Sequence, residues 1–88
     1  MITAVASRIY GIFQVRRTAD SWTVIPVIYG SGMTYLPKEM NSRAAINLFA
    51  VCRLPKALLA QDSFIAELDT EVSAKQLTEF GFETLARV

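Results

Sequence analysis

The sequence predicts an α+β fold. An antiparallel sheet, a three-stranded meander that a fourth, C-terminal strand can extend, packs against two or three helices. Three observations support this: strand-forming residues over 8–36, an apolar helix-forming run after residue 42, and helix start and stop signals around residues 74–80. No composition shift, internal repeat or low-complexity tract divides the 88 residues. We therefore expect one small domain over residues 1–88.

The first two strands form a predicted β-hairpin. In residues 8–17 the odd positions are apolar or small and the even ones mostly polar, which is the period of a half-buried strand. A turn-forming break at residues 18–21 leads into residues 22–30, which are β-branched or aromatic at nearly every position. The second strand is therefore apolar on both faces in either register. Pro26 has no N–H to donate, which predicts that this strand is unpaired there on one side.

The next elements are a turn, a short strand and a helix. Residues 30–32, Gly-Ser-Gly, predict a tight reversal, and residues 33–36 predict a third strand that Pro37 ends. Asn41 or Ser42 can cap a helix over residues 43–54, which Pro55 then breaks. Since this helix is apolar nearly all round, we expect it at the centre of the core.

The C-terminal third contains both the weakest and the strongest local signals. Residues 56–70 favour a helix from near-helical apolar spacing, although a short strand starting at Phe64 is the alternative. Ser73 and Gln76 match a capping box, and Gly81 stands where a left-handed cap belongs, which predicts a helix over 74–80. Residues 82–88 alternate and favour a final strand, with continued helix as the alternative.

Composition and charge indicate that part of the apolar surface is exposed or buried against a partner. Hydrophobic residues make up 52% of the sequence, more than so short a chain can bury by itself. Residues 1–60 contain seven basic and two acidic residues, a net +5, and residues 61–88 contain two basic and six acidic residues, a net −4. Because the charges are spread out, we favour neutralisation within the fold or across a homo-oligomer over an acidic partner.

Catalytic and metal-binding residue types are scarce. The chain has no histidine, the commonest general base and metal ligand, and its one cysteine, Cys52, lies in an apolar run typical of core packing with a raised pKa. We interpret the carboxylates of residues 67–71 as a solvated acidic face. The sequence thus predicts no enzyme, no cofactor and no metal. The single cysteine fits a cytoplasmic protein, and the uncharged run 21–36 is too short to span a membrane.

An apolar second sheet face predicts self-association. If Phe13 and Val15 face the helix, the opposite face of the hairpin still carries an apolar row of the second strand that needs a cover. Depending on the register, that row is Ile25, Val27 and Tyr29 or Trp22, Val24 and Ile28. The chain's own acidic half can cover it in a monomer, or a second subunit or another protein partner can do so. We favour a homodimer, the commonest arrangement of soluble oligomers. The interface then consists of Tyr10, Ile12, Ile25, Val27 and Tyr29.

Nucleic-acid binding is the alternative function. Arg8, Tyr10, Gln14 and Arg16 share one face of the first strand, and Arg17 and Lys38 can extend this basic and aromatic patch. In element order, a three-stranded meander followed by one helix, residues 8–54 resemble the small sheet-type DNA-binding modules at the front of some phage integrases. The resemblance implies a nucleic-acid partner. The pI of about 7.9 is below the value of about 9 expected of a dedicated nucleic-acid domain, which favours self-association.

Overall fold

The computed structural model describes residues 10–29, 34–68 and 72–85. Neighbouring strands are antiparallel and lie in the order β3-β2-β1-β4. This confirms the predicted α+β fold: the first three strands form a meander, and a fourth strand from the C-terminal half is present beside β1. The elements are β1 (Tyr10–Thr18), β2 (Ser21–Tyr29), β3 (Lys38–Asn41), α1 (Ser42–Val51), a 3₁₀ helix (Lys56–Ala60), β4 (Ser63–Leu68) and α2 (Ala74–Glu79).

The hairpin of β1 and β2 is paired along its whole length. Its register places Tyr10 opposite Tyr29 and Thr18 opposite Ser21, so only two residues form the turn. One of them, Ala19, has a φ of 51°, a left-handed conformation that costs about 1 kcal/mol for an L-residue. The short turn fixes the register and therefore which side chains share a face.

Pro26 determines how far β3 extends along β2. The N–H of Arg17 donates to the carbonyl of Asp62 at 2.7 Å, which makes these two a hydrogen-bonded pair of the β1–β4 ladder. Because bonded pairs alternate, the even residues of β2 point their backbone nitrogens towards β3. β3 is paired only as far as Lys38 opposite Val24, and the next bonding position is Pro26, which has no N–H. The prediction that β2 is unpaired on one side at Pro26 is confirmed.

The third strand lies later than the sequence predicted. The predicted strand over 33–36 ended by Pro37 is wrong for residues 34–36, because β3 begins at Lys38, directly after that proline. Met33 and the reversal predicted for residues 30–32 lie outside the described residues. Residue 36 stands opposite Pro26 in the continued β2–β3 register. Its carbonyl finds no N–H on Pro26 to accept from. The N–H of Leu36 donates instead to the carbonyl of Glu83 at 2.9 Å.

In the region of the predicted C-terminal strand, residues 83–85 pair with residues 34–36. Tyr35 forms an isolated antiparallel bridge with Thr84, and the N–H of Leu85 donates to the carbonyl of Thr34 at 2.8 Å. Residues 86–88, which complete the predicted strand, lie outside the described residues. Backbone hydrogen bonds thus join the segment after α2 to the segment before β3.

The helix favoured for residues 56–70 is wrong, and the strand alternative is correct. A single turn of 3₁₀ helix is followed by β4, in which Ala66 and Leu68 are buried while Ser63, Ile65 and Glu67 are exposed. This alternation has the period of a strand. The alternation is hard to recognise in the sequence, because Ile65 is apolar although it faces outward. With Ile65 counted as a core residue, the apolar spacing is close to that of a helix. Residues 69 and 70 lie outside the described residues.

Helix α1 covers the sheet with one side only. It begins at the Asn41 cap, whose side chain accepts the N–H of Ala44 at 2.9 Å, as predicted. It ends at Val51, earlier than predicted, and its inner side buries Ala45, Leu48 and Phe49. The expectation of a helix surrounded by core is wrong, because Ile46 on its outer side is 41% exposed.

Helix α2 agrees with its local signals. The Ser73 hydroxyl accepts the N–H of Gln76 at 3.2 Å, and the Gln76 side chain accepts the N–H of Ser73 at 3.4 Å, so the capping box is formed. Gly81 has a φ of 91°, and the N–H of Phe82 donates to the carbonyl of Leu77 at 3.0 Å, which closes the helix as predicted.

The core lies on one face of the sheet. Phe13 of β1 is fully buried, and its ring centroid lies 6.4 Å from that of Phe49 in α1 and 6.5 Å from that of Phe82 after α2. Both helices therefore pack on the face of the sheet that carries Phe13. Among the described residues, no helix is long and apolar enough to cross a membrane.

Candidate interaction surface

The opposite face of the sheet, which we call the open face, has no described helix packed on it. Register assigns its members, since residues directly opposite one another in neighbouring strands share a face. Beside a polar row of Asn41, Ser21 and Thr18 at the turn, they form four rows across the sheet: a first row of Glu39, Thr23, Arg16 and Ser63, a second row of Ile25, Gln14 and Ile65, a third row of Val27, Ile12 and Glu67, and a fourth row of Tyr29 and Tyr10.

The apolar part of the open face is concentrated in the second and third rows. Ile12, Ile25 and Val27 are half-buried by their neighbours in the sheet. Ile65 on β4 is 64% exposed, the highest value among the large apolar side chains of the described residues. Isolated exposed apolar residues are ordinary on proteins, but four aliphatic side chains in adjacent rows form a continuous patch.

All five residues predicted for a partner interface share the open face. Ile12 lies directly opposite Val27, Ile25 is in the adjacent row, and Tyr10 and Tyr29 form the fourth row by their backbone positions. The tyrosine side chains lie outside what the structure describes. Ile65 was not among the predicted interface residues, because residues 56–70 favoured a helix. The alternation of Phe64, Ala66 and Leu68 with polar Ser63 and Glu67 was the sequence signal that could have found it.

The acidic half of the chain divides between the two faces. Leu77 of α2 and Phe82 after it are buried in the core cluster with Phe13, on the helix side of the sheet. β4 joins the sheet itself and adds Ile65 and Glu67 to the open face. Within the described residues, the acidic half thus extends the apolar patch and does not cover it.

The residues predicted for nucleic-acid binding do not come together. Arg16 is in the first row of the open face. Arg17 is opposite Trp22 on the helix side, where its guanidinium lies 5.8 Å from the indole centroid. Lys38 is also on the helix side, where its side chain lies against Gly81. Arg8 lies outside the described residues.

Opposite charges flank the apolar patch on the open face. Arg16 on β1 is in the first row, next to the second row, and Glu67 on β4 is beside Ile12 in the third row. A shallow depression lies on the Arg16 side of the patch. Its lining is Gln14, Arg16, Ile25, Ser63 and Ile65, together with the neighbouring Val15 and Phe64. Its floor is thus mixed, with an amide, a cation and two isoleucines, which suits a protein surface better than a small catalytic cleft.

Cys52 and Tyr35 belong to the core. Cys52 is 1% exposed, and burial raises the pKa of its thiol to about 11, which keeps it protonated at neutral pH. Burial also raises the pKa of the Tyr35 phenol. The indole N–H of Trp22 donates to the carbonyl of Leu59 at 3.0 Å, a packing role. The described residues contain no group of three acidic, histidine or cysteine side chains placed to hold a metal ion.

Comparisons of this chain with protein-family models, curated proteins and solved structures found no match.

Proposed function

We propose that this protein is a non-enzymatic assembly module that forms a homodimer through the open face of its sheet. The observation that carries the proposal is the patch of Ile12, Ile25, Val27 and Ile65 in adjacent rows, with Ile65 64% exposed. Apolar surface of this kind gains free energy when it is removed from water, by about 25 cal/mol per Å². A second copy offers an identical surface, which is how two-fold interfaces form.

The dimensions of the open face indicate a dimer of modest affinity. Nine-residue strands at about 3.3 Å per residue are ~30 Å long, and three to four strands about 4.8 Å apart are ~15 Å wide. The resulting face is smaller than the ~800 Å² per partner of a typical stable interface. We therefore expect a dissociation constant on the order of micromolar.

Light scattering after size exclusion tests the proposal. At about 50 μM protein, well above the expected dissociation constant, the wild type should have the mass of a dimer. Ile65→Lys should convert it to a monomer, because a charge would then be buried in the interface. Ile46→Lys is the matched control, since Ile46 is 41% exposed on the outer side of α1 and should leave the dimer intact. A monomeric wild type at that concentration in ordinary salt would refute self-association.

Nucleic-acid binding receives less support from the same geometry. Of the predicted cations, Arg16 is the one that the described residues place on the open face, whereas Arg17 and Lys38 are on the helix side. Titration of labelled single- and double-stranded oligonucleotides at low salt measures this alternative. Binding that weakens steeply with added salt, together with a monomeric protein, would replace the dimer as the function.

A further inference from the structure

The two outer edges of the sheet are protected against strand pairing to different degrees. β3, at one edge, is four residues long, follows Pro37 and begins with the charged residues Lys38 and Glu39. Short, charged and proline-flanked edge strands pair poorly with another chain. β4, at the other edge, has six residues, of which Glu67 is the only charged one, and contains no proline. Among the described residues no strand lies beyond β4, so this is the edge that can accept one.

The outward backbone groups of β4 follow from its ladder with β1. The N–H of Arg17 donates to the carbonyl of Asp62, and bonded positions alternate, so the even residues of β4 bond to β1 and the odd ones point their N–H and C=O groups outward. The odd residues are Ser63, Ile65 and Glu67. Glu67 already has an interaction within its own chain. Ser63 and Ile65 have no outward strand partner among the described residues and offer four backbone groups.

We propose that β4 pairs edge to edge with β4 of a second copy, antiparallel, so that two sheets join into one of eight strands. This contact goes beyond the open-face dimer and uses a different part of the molecule. A two-fold axis perpendicular to the sheet passes midway between the two Phe64 residues. Ser63 is then opposite the partner's Ile65, and each of the two such pairs exchanges two backbone hydrogen bonds. This register uses every outward group of Ser63 and Ile65 and needs none from Glu67.

The side chains of the two strands are compatible in this register. On the helix side, the two Phe64 residues are directly opposite one another in a non-bonded pair, the kind in which side chains are closest. Phe64 is half-buried, with its ring centroid 6.0 Å from that of Phe49, and the partner's ring covers surface that one copy leaves exposed. Glu67 is at the level of the partner's Gln61, so no like charges are directly opposed.

Edge pairing also joins the apolar patches of two copies. On the open face, Ile65 becomes a diagonal neighbour of the partner's Ile65, at ~7–8 Å. The two open faces together measure ~30 Å by ~30 Å, which exceeds the ~800 Å² per partner of a typical stable interface that one copy does not reach. A second copy at the edge thus supplies area that the open face of one copy lacks. Two such eight-stranded sheets, packed open face to open face, contain four chains.

Amide hydrogen exchange measured by NMR tests the edge contact directly. In a monomer and in an open-face dimer, the N–H groups of Ser63 and Ile65 point to water and should exchange rapidly. Raising the wild type from about 50 μM to about 1 mM should slow both by about tenfold, and sedimentation velocity should then show a mass above that of a dimer. The N–H of Glu39, which points outward from β3, is the internal control and should not change.

A proline variant separates edge pairing from open-face pairing. Ser63→Pro removes an outward N–H and places a ring in the path of the partner strand, at the first position of β4, where proline leaves the β1–β4 ladder intact. It should abolish the slow exchange of Ile65 at the higher concentration and keep the open-face dimer. Ser63→Ala retains the N–H and is the matched control, which should behave as the wild type.

Three results would overturn the edge contact. They are rapid exchange of Ile65 in the wild type at the higher concentration, slow exchange that survives Ser63→Pro, and slow exchange that is equal at both concentrations in a protein no larger than a dimer. The last would mean that another part of the same chain covers the edge. A monomeric wild type at the lower concentration refutes the open-face dimer instead, and the exchange of Ser63 and Ile65 at the higher concentration still decides the edge contact.

Discussion

The two faces of β2 have similar residues and different surroundings. Val24 on the helix side is fully buried, whereas Ile25 and Val27 on the open face are only half-buried. The difference comes from the neighbouring strand. On the helix side β1 carries Phe13 and Val15, whereas on the open face Gln14 and Arg16 interrupt the apolar surface beside Ile12. Since β2 is apolar on both faces, the side chains of β1 determine which face of the hairpin packs in the core.

Removing the central ring of the helix side should have the largest effect. Phe13→Ala should lower the free energy of unfolding by about 3–5 kcal/mol, because the cavity separates the rings of Phe49 and Phe82 that pack on Phe13. Urea unfolding followed by circular dichroism measures the loss. Ile12→Ala on the open face, measured at a concentration where the protein is monomeric, is the control and should cost much less. Equal losses would mean that the two faces are equally packed.

Burial of the Cys52 thiol on the helix side should make stability fall at alkaline pH. The folded pKa is raised to about 11 from a reference of 9.0, so between these values the unfolded chain binds fewer protons than the folded one. The stabilising contribution is complete below pH 9 and is lost as the pH rises through 11, by an amount on the order of 2 kcal/mol.

Denaturation at a series of pH values tests this for the wild type and for Cys52→Ala. The difference between the two proteins should be constant near neutral pH and should narrow above pH 9, where the wild type loses its extra stability. Parallel curves over the whole range would show that the thiol ionises as freely in the folded protein as in the unfolded one.

The smallest effect on folding is expected on the open face. Ile65→Ser should change the stability of the monomer by less than about 0.5 kcal/mol, since Ile65 is 64% exposed and loses little packing. The same variant should weaken the dimer, which separates the contribution of this face to association from its contribution to folding. Urea unfolding at submicromolar concentration gives the first quantity, and light scattering gives the second. A loss of several kcal/mol from the monomer would show that Ile65 is part of the folding core.

Predictions from the sequence succeeded where a signal and its partner are close together in the chain. The Asn41 cap and the Ser73–Gln76 capping box join residues three apart, and the hairpin joins two strands that follow each other in the chain through a two-residue turn. The two helix ends show the limit of such signals. Both close with the same pair of backbone bonds, but α2 uses Gly81 at φ 91°, whereas α1 uses Arg53 at φ 60°. A glycine in the sequence indicates a positive-φ helix end, whereas an arginine does not. The end of α1 was therefore predicted too late in the chain.

The sequence by itself determined the α+β class, the central hairpin and the apolar character of both faces of β2. Only the tertiary structure decided where the third strand begins and that residues 63–68 form a strand. It also decided that the five predicted interface residues share a face with Ile65. The physical reason is that strands are stabilised by partners distant in the chain. Pro26 stops the β2–β3 ladder, residues 34–36 pair with residues 83–85, and β4 bonds to the free side of β1. The local sequence predicts that one ladder is interrupted at Pro26, but it does not predict which distant segments pair with each other.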